Sequence, residues 1–389
     1  MYKIRTLNKI SPKGLDLFPR DKYEVASELP DPDAIIVRSF KMHDMEFGDN
    51  LKAIARAGAG TNNIPIDRCS EKGIIVFNTP GANANAVKEI VIASLFLASR
   101  DIVGGIEWVQ SIKAEGEKVP ALVEKNKSNF AGCEIKGKKL GVVGLGAIGA
   151  MVANTALDLG MEVIGYDPYL SVDAAWELSS SVKKATGLET LLSQVDYLSI
   201  HVPLLESTKG MFNAEKFAMM KEGIKIINFA RGGLVDNNDI IEALSSGKVS
   251  CYVTDFPEAE LLGIKGVIPI PHLGASTVES EENCAVMAVE QIKEYLENGN
   301  IKNSVNFPNA ALPRTAGEKR ITMAIRNVPN MIGEISSLLA KHNINILDML
   351  NKSKGDLAYN IIDIEGEISD EAIAQLRDIE GVIKVRILD

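Results

Sequence analysis

An arginine and a histidine near the middle of the chain have the side chains and the setting for chemistry on a small molecule. Arg231 lies in "FARGGLVD" (229–236), where two following glycines leave its guanidinium uncrowded and able to bind a carboxylate through two hydrogen bonds. His272 lies in "PIPHLGAS" (269–276), and an imidazole can take up or give back a proton near neutral pH. The alternatives are a surface arginine at a turn and a histidine that only caps the end of a strand.

Three carboxylates lie between these two residues in the stretch "TDFPEAEL" (254–261): Asp255, Glu258 and Glu260. A carboxylate that is hydrogen-bonded to one nitrogen of an imidazole orients the ring. It also stabilises the imidazolium that forms when the ring takes a proton. One of the three acids is therefore a candidate partner of His272.

A glycine pattern further toward the N-terminus predicts a dinucleotide site. Gly144, Gly146 and Gly149 form G-x-G-x-x-G after the strand-like "KKLGVVG" and at the start of a helical stretch. Asp167 ends the next predicted strand, 18 residues beyond Gly149. Its carboxylate can accept hydrogen bonds from ribose hydroxyls and would repel a 2′-phosphate, so the pattern favours NAD over NADP. The alternative is a glycine-rich turn with a structural role only.

Together these groups predict hydride transfer from a 2-hydroxy acid. The arginine would hold the substrate carboxylate, the imidazole would remove the hydroxyl proton, and the nicotinamide would receive the hydride. The four cysteines and four histidines are scattered, without metal-ligand spacing, so no metal site is predicted.

The elements that must position these groups form two α/β series. Strands are predicted at 34–39, 52–60 and 73–80, followed by a long helix at 83–100. A second series of strands and helices runs from residue 138 to about residue 275. Parallel sheets bind ligands at the carboxyl ends of their strands, which is where Arg231 and His272 are expected.

The remainder of the chain predicts a long helix, a linker and a third domain. The helix covers 276–299, and the Pro- and Ala-containing stretch 305–318 is typical of a linker. The segments that follow are predicted as strand, helix, strand, strand, helix and strand. This βαββαβ order is that of a ferredoxin-like domain of roughly 70 residues.

Composition excludes several classes of partner. The chain has 389 residues, 46% of them hydrophobic and 24% charged, with a formal net charge of −10. That charge argues against nucleic-acid and anionic-membrane partners, because no basic face offsets it. No apolar run reaches membrane-spanning length, and the N-terminus has no signal-peptide pattern, so a cytoplasmic location is expected.

At this level the chain resembles the D-2-hydroxyacid dehydrogenases over nearly its whole length. The shared motifs, in the family's order and spacing, are "RAGAGTNNI", "FNTPGANANAVKEI", "GLGAIG", "GYDP", "HVPL", "NFARGGLVD" and "PHLGAS". The resemblance is strongest to the members that oxidise 3-phospho-D-glycerate (3-phosphoglycerate) with NAD, the first step of L-serine biosynthesis. It implies two doubly wound, Rossmann-like α/β domains, with the NAD domain (99–278) inserted in a substrate domain made of residues 1–98 and 279–310. A ferredoxin-like ACT domain would follow at 318–389.

The resemblance also implies the catalytic residues. The family arginine matches Arg231, and the family histidine matches His272. The family glutamate lies five residues after an aspartate, which corresponds to Glu260 when Asp255 takes the aspartate position. Leu261 replaces the proline that usually follows, so Glu258 is kept as the alternative.

Binding residues follow from the same motifs. The implied cofactor contacts are Gly144, Gly146, Ala147, Ile148, Gly149, Asp167, Val202, Pro203, Phe229, Ala230, Asp255 and Gly274. The implied substrate contacts are Arg38, Ser39, Ala59, Gly60 and Asn83, with Arg38 as a phosphate ligand. The alternative for Arg38 is a surface arginine that only faces a helix.

The C-terminal domain resembles ACT modules that bind L-serine between paired subunits. Asn327 and Asn345 match effector-site asparagines, whereas Ile325 stands where the serine-inhibited form has a histidine. A homodimer or homotetramer is expected, because an isolated four-stranded sheet leaves its edges open. Two other functions stay open: reduction of hydroxypyruvate, glyoxylate or another 2-oxo acid, and NAD sensing without catalysis.

Overall fold

The chain divides into two units in the structure, a computed structural model that describes residues 1–315 and 318–389. One unit comprises residues 1–83 and 278–389, and the other comprises residues 84–277. The predicted linker at 305–318 includes residues 316 and 317, which lie outside the described residues. Across the part of the chain that the structure describes, no helix combines the length and apolar content that a membrane crossing requires.

The first unit begins with a five-stranded parallel sheet. Its strands are β1 (Tyr2–Leu7), β2 (Tyr23–Ala26), β3 (Ala34–Val37), β4 (Ala53–Arg56) and β5 (Ile75–Phe77). They lie in the order β2-β1-β3-β4-β5, which is the 2-1-3-4-5 order of a doubly wound sheet. Two short helices accompany them, α1 (Pro12–Leu15) and α2 (Ile66–Glu71). Strands β3 and β5 are buried throughout, as apolar strands covered on both faces must be.

The second unit contains a seven-stranded parallel sheet. Its strands are β6 (Lys139–Val143), β7 (Glu162–Tyr166), β8 (Lys183–Lys184), β9 (Tyr197–Ile200), β10 (Ile224–Asn228), β11 (Val249–Thr254) and β12 (Val267–Pro269). The order β12-β11-β10-β9-β6-β7-β8 reverses direction between β6 and β9. Such a reversal is where doubly wound sheets open a crevice for a dinucleotide.

The helices of this unit are α3 (Ala84–Ser99), α4 (Ile102–Ser111), α5 (Val119–Asn126), α6 (Ala147–Asp158), α7 (Val172–Glu177), α8 (Leu188–Leu192), α9 (Ala214–Met219) and α10 (Asn237–Ser245). Helix α3 was expected to belong to the first domain, which was predicted to extend to residue 98. In the structure Val87, Val91 and Leu95 of α3 pack in the same core as Leu140 of β6 and Val152 of α6. The division between the units therefore falls after residue 83, because the apolar face of α3 is buried against the second sheet.

Helix α11 (Val278–Asn298) returns the chain to the first unit. Its residues Ala288 and Ile292 lie in one core with Ile36 of β3 and Phe77 of β5. Residues 1–83 and the segment after residue 278 thus share a single hydrophobic core, although about 190 residues separate them in sequence.

The C-terminal segment forms an antiparallel sheet with two helices. The elements are β13 (Lys319–Arg326), α12 (Met331–Lys341), β14 (Ile346–Lys354), β15 (Leu357–Ile364), α13 (Asp370–Asp378) and β16 (Val382–Leu388). The predicted βαββαβ order is confirmed, and the strands lie in the order β14-β15-β13-β16. The helices cover one face of the sheet, while Tyr359 and Ile361 on the other face pack into the core that contains α11.

Buried arginines hold this sheet against the end of α11. Arg320 is fully buried, its Nε lies 2.6 Å from Asp363 Oδ1, and its Nη1 donates to the carbonyl of Asn298 at 2.9 Å. Arg386 donates to the carbonyls of Tyr295 and Leu296 at 3.2 and 3.0 Å. The last carbonyls of a helix lack N–H partners from a following turn, and Arg320 supplies a donor to that of Asn298. The carbonyls of Tyr295 and Leu296 also accept hydrogen bonds from the Gly299 N–H and the Tyr2 hydroxyl, so Arg386 adds a second donor to each.

We expect Asp363→Asn to lower the free energy of unfolding by about 3–5 kcal/mol, because the guanidinium of Arg320 would remain buried without its counter-charge. Unfolding in guanidinium chloride, followed by circular dichroism, measures the decrease in the free energy of unfolding. Lys319→Gln is the control on the same strand, since its partners Glu367 and Asp389 are largely exposed and little change is expected. Equal transitions for the two variants would contradict a stabilising role for the buried pair.

Candidate active site

The turn between β6 and α6 has the geometry of an anion-binding loop. Gly144 has φ +90°, and a Cβ there would lie 2.7 Å from the carbonyl oxygen of His201. A Cβ on Gly149 would overlap the carbonyl oxygen of Gly144, so the helix can approach the strand only without a side chain. A Cβ on Gly146 would instead meet no atom within 4 Å. The space beside Gly146, at the N-terminus of α6, is therefore open to an anionic group.

Asp167 follows β7 and fixes this turn from the side. Its Oδ2 accepts a hydrogen bond from the backbone N–H of Leu145, and its Oδ1 accepts one from that of Tyr169, both at 2.8 Å. Each carboxylate oxygen keeps a further lone pair for a ligand hydroxyl. The acid predicted to bind a ribose thus also ties the end of β7 to the glycine turn.

His201 follows β9 on the other side of β6. Burial lowers the pKa of His201 to about 4, so its ring is neutral at physiological pH. Its Nε2 lies 2.8 Å from the hydroxyl oxygen of Ser199. The ring is half-buried, and the loop that follows exposes the apolar side chains of Leu204 and Leu205.

Arg231 follows β10 in a turn held by a buried asparagine. The side-chain amide of Asn228 donates to the carbonyl of Arg231 at 2.9 Å, and its Oδ1 accepts from the N–H of Ala230 at 3.1 Å. The Arg231 side chain is exposed, and Nη1 donates only to the carbonyl of Ala230. Within the described residues its guanidinium forms no ion pair, so it can bind an incoming carboxylate.

Asp255 follows β11 and is the buried acid of the three. It is 1% exposed, its Oδ2 accepts from the N–H of Gly274 at 3.1 Å, and its Oδ1 has no hydrogen-bond partner. Burial raises the pKa of Asp255, and the Gly274 N–H and the nearby charges of His272 and Arg231 oppose that shift. Asp255 therefore interacts electrostatically with both predicted catalytic residues.

His272 follows β12 with an exposed imidazole. Its ring lies against the ring of Phe256, with centroids 4.7 Å apart and an interplanar angle of 57°. Neither ring nitrogen has a hydrogen bond to another described residue in the structure. The imidazole is thus positioned by ring contact and remains able to exchange a proton with a ligand.

The structure does not bring Glu260 to His272. Glu260 is exposed in a single 3₁₀ turn (Ala259–Leu261) that the buried Leu261 anchors, and no hydrogen bond or ion pair links it to the imidazole. Glu258 is also exposed, and its Oε2 accepts from the side chain of Asn237 at 2.9 Å. Asp255, by contrast, interacts electrostatically with His272.

The first unit gathers a second set of predicted residues after its own strands. Arg38 follows β3, and its Nη2 lies 2.6 Å from Glu281 Oε1 on α11. Arg56 ends β4, and its Nε donates to the carbonyl of Arg38 at 3.1 Å. The turn at 58–60 is held by Asn78, whose side chain donates to the carbonyl of Ala59 at 2.7 Å.

Sequence reasoning missed Arg56, although the signal was present. Arg56 ends a strand and precedes a glycine-containing turn, which is the pattern that singled out Arg231. A Cβ on Gly58 would overlap the guanidinium of Arg56, so this glycine makes room for the arginine. The backbone N–H of Ser39 donates to Asn8 Oδ1 at 2.9 Å, and Asn83 lies just before α3.

The predicted effector residues lie at opposite ends of α12. Asn327 precedes this helix and donates to the carbonyl of Gly355 at 2.9 Å, whereas Asn345 follows it and donates to Glu365 Oε2 at 3.0 Å. The helix has 11 residues, which corresponds to a length of roughly 16 Å. Ile325 points into the core beneath the helices. The two asparagines of one chain therefore do not form a single small site.

Comparison with known proteins shows which families and structures the chain is similar to. Residues 92–284 match the NAD binding domain of the D-isomer specific 2-hydroxyacid dehydrogenases. The chain is 31% identical to the D-3-phosphoglycerate dehydrogenase of Haemophilus influenzae, over 88% of this chain and 83% of that one. It is 38% identical to the hydroxypyruvate reductase of Thermotoga maritima, over 71% and 89%. A crystal structure of NAD+-bound 3-phosphoglycerate dehydrogenase in Entamoeba histolytica superposes with a TM-score of 0.60 at 27% identity, over 78% and 98%.

The second unit fits NAD. The open space beside Gly146 suits a pyrophosphate, and the free lone pairs of the Asp167 carboxylate suit ribose hydroxyls and disfavour a 2′-phosphate. Among the described residues, no group of three or more His, Cys, Asp or Glu is placed to hold a metal ion.

We expect Gly146→Ala to weaken NADH binding by about tenfold or more, because the added methyl group would occupy space that the pyrophosphate needs. Folding should not suffer, since φ is −69° and the methyl group meets no protein atom. Fluorescence titration with NADH measures the affinity. Gly187→Ala is the control, because Gly187 also precedes a helix of this unit and has room for a Cβ. Unchanged NADH affinity in Gly146→Ala would contradict this placement of the pyrophosphate.

Proposed function

Because the chain belongs to the D-isomer specific 2-hydroxyacid dehydrogenase family, we propose that it oxidises 3-phospho-D-glycerate to 3-phosphohydroxypyruvate with NAD. This reaction is the first step of L-serine biosynthesis. The observation that carries the proposal is the pair formed by Arg231 and His272, a guanidinium without an ion-pair partner and an exposed imidazole, at the carboxyl edge of the sheet that carries the dinucleotide turn. The similarity to named D-3-phosphoglycerate dehydrogenases supports the choice of substrate.

The proposed chemistry divides among a few side chains. NAD, when bound, supplies the acceptor for the hydride that leaves C2 of the substrate. The guanidinium of Arg231 binds the substrate carboxylate through two hydrogen bonds and so orients C2. The imidazole of His272 accepts the proton of the C2 hydroxyl as the carbonyl forms, and later releases it to water.

Carboxylates stabilise the charge that His272 acquires. Glu260 is the proposed partner of the imidazole, and its side chain is exposed in a short turn. Asp255 is proposed as a second acid beside His272 and Arg231. Its burial raises its pKa, whereas the Gly274 N–H and the charges of those two groups favour its ionised form.

The phosphate of the substrate is assigned to the first unit. We propose Arg38 and Arg56 as its ligands, because both guanidiniums follow neighbouring parallel strands and the Nε of one binds the carbonyl of the other. Backbone N–H groups of the turn at 58–60, which includes Ala59 and Gly60, are proposed to assist in anion binding.

Reduction of hydroxypyruvate is the second candidate, and the Thermotoga maritima relative of that name favours it. The two candidates differ in whether the substrate carries a phosphate. The two neighbouring arginines of the first unit support the phosphorylated substrate, since two guanidiniums can bind the oxygens of a phosphate group.

The C-terminal βαββαβ segment is proposed to be an ACT domain. An L-serine site that uses Asn327 and Asn345 would need two copies of the chain, since these residues flank α12. Inhibition by L-serine stays a prediction, and the cytoplasmic location does too.

A homodimer or homotetramer is proposed on the basis of an apolar surface on α4. None of its residues is buried, and Ile106, Val109 and Ile102 are 55%, 43% and 39% exposed. Apolar side chains clustered on one exposed helix are typical of protein–protein contacts. A second copy of this chain is the proposed partner.

We expect NADH to form from 3-phosphoglycerate at least about tenfold faster than from D-lactate, because only the former can use the proposed phosphate ligands. Absorbance at the NADH band under steady-state conditions measures both rates. Equal rates with the two substrates would reject the phosphoglycerate assignment.

The variant His272→Ala should lose turnover by about 10²–10⁴-fold and still bind NADH. Full activity of this variant would remove His272 from the mechanism.

The choice among the three acids is testable by pH. Removing a negative charge beside the imidazolium destabilises the protonated ring, so the acid limb of the pH–rate profile for oxidation moves to lower pH. We expect a larger movement in Glu260→Gln than in Glu258→Gln, whose acid is engaged by Asn237. The reverse order would transfer the role to Glu258. No movement in either variant, together with a movement in Asp255→Asn, would assign the role to Asp255.

A further inference from the structure

The proposed phosphate ligands of the first unit already have an anion beside them. Glu281 lies in the first turn of α11 and forms an ion pair with Arg38 at 2.6 Å. Both side chains are partly exposed, 42% for Arg38 and 44% for Glu281, so the pair lies where a ligand can reach it. A bidentate ligand such as a phosphate would compete with Glu281 for the same guanidinium.

The position of Glu281 near the N-terminus of α11 stabilises its carboxylate, which competes with a phosphate group for Arg38. Carboxylates are stabilised in the first turn of a helix by the exposed N–H groups and the helix dipole. Glu279 shares this turn, and Glu282 follows Glu281 directly, so the helix presents a negative end. Unlike Glu281, Glu282 pairs with Lys13, at 2.9 Å.

Arg38 and Arg56 both interact electrostatically with residues near the N-terminus of α11. Burial raises the pKa of the Cys284 thiol, which lies one turn beyond Glu281, and the positive charges of Arg56 and Arg38 oppose that rise. The two guanidiniums are therefore near the same helical turns, and the carboxylate of Glu281 partly neutralises their combined charge.

We propose that Glu281 is a specificity-determining residue, which holds Arg38 in the absence of substrate and lowers the affinity of this subsite for a phosphate group. The inference rests on the proposed function, since it assigns Arg38 to the substrate phosphate. Binding of the phosphorylated substrate requires Arg38 to exchange Glu281 for phosphate oxygens. A substrate without phosphate leaves the ion pair in place, so the carboxylate narrows the preference for phosphorylated over unphosphorylated 2-hydroxy acids.

The test is Glu281→Gln, which keeps the length of the side chain and an oxygen acceptor for Arg38 but removes the charge. The KM for 3-phosphoglycerate should fall roughly two- to fivefold, the effect expected of a partly exposed ion pair, while the KM for D-glycerate and both kcat values stay unchanged. Glu282→Gln is the matched control, since it removes the same charge from the neighbouring position and leaves Arg38 paired. An equal effect of the two variants would attribute the change to net charge and overturn the proposal, and so would an unchanged or raised KM for 3-phosphoglycerate in Glu281→Gln.

Calorimetric titration with inorganic phosphate separates this inference from the proposed reaction. Glu281→Gln should bind phosphate more tightly than the parent chain and than Glu282→Gln, by the same roughly two- to fivefold. If the parent chain does not oxidise 3-phosphoglycerate but the variant shows this tighter binding, the proposed reaction is wrong and the role of Glu281 stands. If the parent chain oxidises 3-phosphoglycerate and phosphate affinity is equal in all three proteins, the reaction stands and the role of Glu281 is wrong.

Discussion

Parallel strand pairing is the constraint on which the arrangement of chemical groups depends. In a parallel sheet all strands end at the same edge, so whatever follows a strand is brought to that edge regardless of its distance in sequence. In the second unit the glycine turn, Asp167, Arg231, Asp255 and His272 each follow a strand, across roughly 130 residues of chain. In the first unit Arg38 and Arg56 obey the same rule at β3 and β4. Buried hydrogen-bond ladders fix the strand ends, and the loops are left to carry the functional side chains.

In the dinucleotide turn, backbone segments approach one another so closely that two positions have no room for a side chain. The carbonyl of Gly144 occupies the place where a side chain on Gly149 would lie, and Gly144 itself faces the carbonyl of His201. Asp167 then joins the neighbouring strand to the same turn through the N–H of Leu145. The backbone and the carboxylate of this turn are therefore already in position before a ligand binds. This preorganisation lowers the entropic cost of binding.

Helix α11 connects two parts of the first unit that the sequence presents as separate. Near its C-terminus its carbonyls accept hydrogen bonds from Arg320 and Arg386 of the C-terminal sheet. Near its N-terminus Glu281 pairs with Arg38 of the first sheet. A 21-residue helix spans about 31 Å, so one rigid element joins the C-terminal sheet to the proposed phosphate ligands.

The sequence by itself determined the residues and elements whose signals are local. The glycine spacing, the strand before it and the acid after the next strand predicted the dinucleotide turn, and the order of the last six elements predicted the antiparallel sheet. Strands β1 and β2 and helices α4 and α5 were not predicted. Only the tertiary structure decided that α3 packs in the second unit, that Arg56 contacts Arg38, that Asp255 is the buried acid near His272, and that Arg38 meets Glu281. These facts depend on contacts between residues far apart in sequence, and no local pattern of residue types contains that information. One tertiary feature did leave a trace in the sequence: β15 carries mostly apolar residues on both faces. A strand of that kind has to be covered on both sides, here by its own helices and by the core around α11.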